Sequence, residues 1–273
     1  MTAAAPTPAS EQSQAEAAPT PARPSLNLLR HSWAAPAVIV GFWLLNAAFI
    51  GVGGEFPLND DWIYAEGVDH FLKSGELRLL ACAPACIFHL LAGASLCKVV
   101  GFSHTALRCL GVFWALAGTL GLYGCMRELK LNRTVALLFA LTFAANPMTV
   151  NLAFSFMTDT PALALMIIYI YFTLRGMRRA SEADFALATI ALLAGSLVRQ
   201  NLALAAGVNA VLLLALWCGR RHSWTLLIGL IIAPIATGIW ADKWMLATSD
   251  FSALYIWYKG MVASAVRDLL RAP

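Results

Sequence analysis

Charged side chains are scarce in this chain. Asp, Glu, Lys and Arg make up 12% of its 273 residues, about half the share of an ordinary soluble domain. Hydrophobic residues make up 60%, and the mean hydropathy is +0.70. A soluble globular domain is thereby excluded, and a polytopic membrane protein is what remains. No basic stripe runs along one face: the 19 Lys and Arg, against 15 Asp and Glu, fall in short clusters between apolar runs, so a nucleic-acid partner is not expected. The spacing of a cysteine or Cys/His metal site is missing too. Cys82, Cys86, Cys97, Cys109, Cys125 and Cys218 are scattered in apolar sequence, as are His31, His70, His89, His104 and His222; the cysteines are expected as small core residues and no structural metal is expected. A basic n-region followed by an apolar stretch and a small-residue cleavage site is absent from the start, which argues against a cleaved signal peptide. Duplicated halves are also absent, which ranks a secondary transporter last among the readings.

What is present is a series of apolar runs with polar breaks. Residues Met1 to Pro24 are Ala, Pro, Thr, Ser, Glu and Gln without apolar periodicity, a composition that predicts a disordered tail. From Trp33 to Val52 the chain is apolar for roughly 20 residues, enough at about 1.5 Å per residue to cross a hydrocarbon core. Arg23, Arg30 and His31 precede this run, which places the N-terminus in the cytoplasm by the positive-inside rule.

The basic clusters then set the topology. Arg127, Lys130 and Arg133 form one cluster, Arg175, Arg178 and Arg179 a second, and Arg220 and Arg221 a third. They share a side with the N-terminal arginines only if the apolar stretch Leu79 to Phe102 does not cross. That stretch is interrupted by Pro84, His89, Gly93, Ser95 and Lys98, which suits a juxtamembrane helix lying at the surface. The expected crossings are Trp33 to Val52, Ala106 to Met126, Thr134 to Val150, Pro161 to Leu174, Phe185 to Val198, Leu202 to Trp217 and Trp224 to Trp240. The fold expected is therefore all-α, a membrane bundle of about seven spans, with a first external loop over residues 53–104. The membrane domain covers residues 25–241 and an external or interfacial aromatic-rich segment covers residues 242–273. Ten Lys and Arg then lie inside against five acids, and nine outside against ten. The sequon-like Asn132-Arg133-Thr134 falls inside and carries no weight. Pro161 to Leu174 and Phe185 to Val198 are short for spans, so their outer ends are expected at a polar cavity.

Three polar groups fall on the outer side. The loop Glu55 to Arg78 holds six of the 15 acids, among them the adjacent Asp60 and Asp61, followed by Trp62 and Tyr64. Thr158 and Asp159 precede Pro161, a good N-cap position for a helix whose first turn holds a proline. Arg199, in Ser196-Leu-Val-Arg-Gln200-Asn201, interrupts two apolar segments, and an intramembrane arginine is costly unless paired or wet. Its guanidinium could bind a lipid phosphate bidentately, or it could be a snorkelling or acid-paired structural residue. Together these point to a general base, Asp60 or Asp61, opposite a cation that stabilises a leaving phosphate. A carboxylate pair could instead hold a divalent metal.

The order of these features resembles polyprenyl-phosphate-sugar-dependent glycosyltransferases of the GT-C type, the group of the bacterial aminoarabinose transferases and protein O-mannosyltransferases. The resemblance runs from about Arg30 to Trp240. It rests on an aspartate motif in the first external loop, a juxtamembrane helix, SFMTDTPALA (residues 155–164), LRGMRRA (174–180) and the GSLVRQ break (195–200). It implies a multi-pass enzyme of the inner (plasma) membrane that moves a sugar from a polyprenyl-phosphate carrier to a glycan, lipid or protein acceptor at the outer face. Asp60 or Asp61, with Asp60 slightly favoured, would be the base and Asp159 a second acid; Arg199, with Gln200, Trp62 and Tyr64, would bind substrate. Members usually continue with further spans and often a soluble domain, so the resemblance also predicts a C-terminal truncation. The alternative is a non-catalytic, carrier-binding or accessory subunit.

Overall fold

The structure, a computed structural model, describes residues 31–58, 60–78, 86–218 and 225–248, with a few helical residues between 256 and 268. The expected tail (residues 1–24), Cys82, Pro84, the Arg220-Arg221 cluster and most of 242–273 lie outside the described residues. The described elements are all helical. They are α1 (Ala34–Ile50), α2 (Asp61–Ser74), α3 (Ile87–Val100), α4 (His104–Glu128), α5 (Arg133–Ala144), α6 (Pro147–Ala153), α7 (Asp159–Arg179), α8 (Glu182–Ser196), a 3-10 turn (Gln200–Leu204), α9 (Ala205–Cys218), a π-helical segment (Thr225–Ile232) and α10 (Ala233–Thr248).

Short polar residues start several of these helices as their chemistry directs. The Ser103 hydroxyl accepts from Ala106 N–H at α4, Asn132 Oδ1 from Val135 N–H at α5, Asn146 Oδ1 from Met148 N–H at α6 and Ser181 Oγ from Asp184 N–H at α8. Asn132, in the sequon-like triplet, thus has a structural use.

α4 and α7 form the central pair and run parallel: Gly118 meets Ala164, Gly124 meets Tyr171, and Glu128 pairs with Arg178 at 2.6 Å. Small residues on α4 allow this approach. At Gly111 the contact is tightest, because a Cβ there would lie 2.6 Å from the Ala153 carbonyl oxygen and 2.7 Å from that of Ser155. Both are backbone atoms just ahead of α7 and cannot swing aside as a side chain would. Gly111→Ala is expected to cost about 1–3 kcal/mol, as overpacking does, read as a lower Tm in detergent; an unchanged Tm would mean that residues 153–155 yield.

α1 packs antiparallel to α4, with Trp43 Nε1 donating to Thr119 Oγ1 at 3.0 Å, and α8 returns antiparallel along α7, with Arg175 beside Asp184 at 3.3 Å. Polar groups consequently gather at two opposite ends. Arg127, Glu128, Arg175, Arg178 and Arg179 share one end, and Pro36 near the start of α1 lines the same groove as Arg127. At the other end the chain leaves α1 and enters α4 side by side. The Arg108 guanidinium donates to the Val52, Gly54 and Phe56 carbonyls, and Glu55 accepts from Ser103 Oγ and His104 N–H at 2.8 and 2.9 Å. Hydrogen bonds from Ser103, Thr105 and the His104 backbone hold the Glu55 carboxyl down to about 2, so it stays an ionised cap on the positive end of α4. The 53–104 segment, which carries α2 and α3, thus begins and ends at the same end of the bundle.

α4 and α7 are long and apolar enough to cross a membrane singly, and α5 with α6 makes a third span if that pair, bent by 65°, is taken as one. Of the about seven spans expected, three coincide with shorter helices, α1 with 17 residues, α8 with 15 and α9 with 14, and Trp224 to Trp240 falls on the π-helical segment and the first half of α10. Three expectations are corrected. The polar loop is a helix from Asp61 onward. The short span Pro161 to Leu174 is a 21-residue helix, α7; Asp159 and Thr160 fit its first turn, and its terminal arginines find acid partners. Cys109 is exposed rather than in the core, whereas Cys86, Cys97 and Cys125 are buried.

Candidate active site

At the end opposite the paired arginines, three elements converge: the start of α2, the start of α7 and the break after α8. Asp60 occupies the position before α2 but makes no side-chain capping bond and is exposed. Asp61 is its opposite, only 2% exposed. Its Oδ1 accepts from Leu58 N–H at 3.0 Å and its Oδ2 from Phe156 N–H at 3.2 Å. A buried carboxylate with two backbone donors is a staple, and here it fixes the start of α2 to the residues just ahead of α7. The two adjacent acids therefore face different surroundings and do not form a clamp. Among the described residues no three His, Cys, Asp or Glu gather as a metal site.

Phe156 is tied from its other side as well. Its carbonyl lies 3.2 Å from His89 Nε2, and its ring stacks on the imidazole at 3.9 Å. His89 is fully enclosed on α3, and burial pushes its pKa down to about 4, partly offset by the bond to Phe156; it is neutral and serves as a donor. Tyr64, on α2, meets the same imidazole edge-on at 5.8 Å. Burial raises the Tyr64 hydroxyl pKa, while a hydrogen bond with Thr158 lowers it.

Thr158 is the hub. It is fully buried and stands at the N-cap position of α7 without capping it. Its Oγ1 accepts from Arg199 Nε at 3.0 Å, and Arg199 Nη2 donates to Asp159 Oδ2 at 2.8 Å. The capping expected of Thr158 or Asp159 is thus replaced by an arginine clamp. Arg199 reaches it because α8 stops at Ser196: Arg199 has an extended backbone (φ −144°, ψ 119°), and the 3-10 turn follows from Gln200. The Arg199 and Asp159 side chains are each about a third exposed, at 32% and 34%, so a ligand can reach them.

Of the expected site residues, Asp61, Tyr64, Asp159 and Arg199 are drawn into one connected arrangement. Asp60 and Trp62 flank Asp61 on exposed positions. Gln200 follows Arg199, half-buried. Sequence reasoning missed Arg108, which is buried and holds the 52–56 carbonyls that lead into this region. An arginine inside the apolar α4 was the available signal, the same one that singled out Arg199.

A family model described as dolichyl-phosphate-mannose-protein mannosyltransferase matches residues 84–240, more than half of the chain. The match takes in Thr158, Asp159, Arg199 and Gln200 and begins after Asp60, Asp61, Trp62 and Tyr64. No curated protein and no solved structure matches the chain.

Proposed function

The chain belongs to the dolichyl-phosphate-mannose-protein mannosyltransferase family, membrane glycosyltransferases of the GT-C type, and from that premise we propose that it moves a sugar from a polyprenyl-phosphate carrier to an acceptor hydroxyl at the outer face of the inner membrane, with its N-terminus in the cytoplasm. The carrying observation is the clamp on Arg199. Thr158 and Asp159 take two of the five N–H donors of a guanidinium, which fixes its plane and leaves other donors at a reachable surface. A phosphate is the group that such a preset fork fits.

The reaction then runs as follows. The acceptor oxygen attacks the anomeric carbon, and its proton passes to the Asp60 carboxylate. The bond from that carbon to the phosphate oxygen breaks, the electron pair stays on the phosphate, and Arg199 stabilises the charge gained there. Asp159 orients Arg199, Trp62 and Gln200 line the approach, and Tyr64 holds Thr158. Asp61 acts through position rather than proton transfer.

The test is turnover of a panel of polyprenyl-phosphate sugars by the full chain in proteoliposomes. Sugar released or transferred from at least one donor is expected. Binding of the carrier lipid without release from any donor would overturn the enzymatic reading in favour of a carrier-binding subunit.

A further inference from the structure

A cavity of about 240 Å³ lies between α4, the α5–α6 bend and the start of α7. Most of its wall is apolar, but five polar residues line it: Trp114, Asn146, Thr149, Asp159 and Thr160. Two of these carry buried polar atoms with no protein partner, Trp114 Nε1 and Thr160 Oγ1, and Thr160 is only 7% exposed. Buried polar atoms left unsatisfied are uncommon and costly, so two in one cavity ask for a ligand. Asn146 adds to them: its Oδ1 is taken by Met148 N–H, which leaves its amide N–H groups to donate. Asp159 supplies an acceptor.

We propose that this cavity receives the ring of the transferred sugar. A pyranose presents an apolar face and a rim of hydroxyls that both donate and accept; an apolar wall that also carries an indole, a carboxylate, an amide and two hydroxyls is complementary to it. The volume far exceeds the roughly 30 Å³ of a single water. Asp159 is shared between this cavity and the Arg199 clamp, so a sugar here stands next to a phosphate on Arg199, as the two groups of a sugar phosphate must. Met148 and Leu163, both exposed, line the same cavity and give it a side entrance, which a sugar borne on a lipid requires.

The inference rests on the function proposed above, and its test separates the two. Equilibrium binding of polyprenyl-phosphate-mannose and of bare polyprenyl phosphate is measured for the full chain and for two variants: Thr160→Val, which removes one hydroxyl and keeps the shape, and Trp114→Phe, which removes the indole N–H and keeps an aromatic face. The wild type is expected to prefer the sugar-bearing lipid. Each variant is expected to reduce that preference by about threefold to tenfold, the size of one hydrogen bond, with affinity for bare phosphate unchanged. A preference intact in both variants, or an equal loss for both lipids, overturns the sugar subsite. Equal binding of both lipids by the wild type also ends this inference alone, whereas a wild type that binds neither ends the carrier-dependent function with it.

Discussion

Asp60→Asn is expected to lower sugar transfer by about a hundredfold to ten-thousandfold, the range for loss of a general base, and to leave the Tm unchanged. The side chain is exposed and caps nothing, so an isosteric amide removes only the ability to take a proton. Asp61→Asn should do the reverse. Its two oxygens each accept a backbone N–H, and an amide in their place turns an NH2 donor toward either Leu58 or Phe156. Two donors facing each other in a buried site cost about 1–3 kcal/mol, read as a fall in Tm, and activity declines because the start of α2 is released from the start of α7. Kinetics beside thermal unfolding for the two variants therefore assign the roles. If Asp61→Asn were as stable as the wild type but inactive, and Asp60→Asn active, the base would be Asp61 and the assignment here would be overturned.

The same pair shows what a sequence can and cannot convey. Two adjacent acids ahead of an amphipathic stretch read identically whether both are solvated or one is buried, and the group that separates them, Phe156 N–H, is 95 residues away. Helix positions were legible because they depend on local periodicity and caps: α1, α4, α7 and α8 appear where the apolar runs predicted them. Ends were less so. The pattern predicts a span from Thr134 to Val150, but Asn146-Pro147 starts a new helix at a sharp bend, because the proline cannot continue α5 and the asparagine caps α6. Thr158 illustrates the last limit. Locally it is an N-cap, and only the folded break after α8 brings a guanidinium within 3.0 Å to claim its hydroxyl.

That competition makes Arg199 the second decisive position. Arg199→Met should reduce kcat/KM for the lipid-linked donor by about a hundredfold to a thousandfold, as loss of a donor aimed at developing negative charge does. Binding of bare polyprenyl phosphate should weaken as well, because the phosphate loses its cation in ground state and transition state alike. Stability should change little, since the Asp159 left behind is about a third exposed and water can solvate it. Arg199→Lys tests the fork itself: an ammonium keeps the charge but cannot direct Nε to Thr158 and Nη2 to Asp159 from one plane, so it should recover binding more than turnover. Thr158→Val removes the acceptor for Nε together with the hydrogen bond to Tyr64 and is expected to cost about tenfold in kcat/KM. If the clamp acts through Arg199, Thr158→Val in an Arg199→Met background should cost far less than in the wild type, the non-additivity of two residues that work as a unit. Full additivity would place Thr158 on a separate path, through Tyr64 and α2. Wild-type turnover in Arg199→Met would reduce the arginine to a structural partner of Asp159.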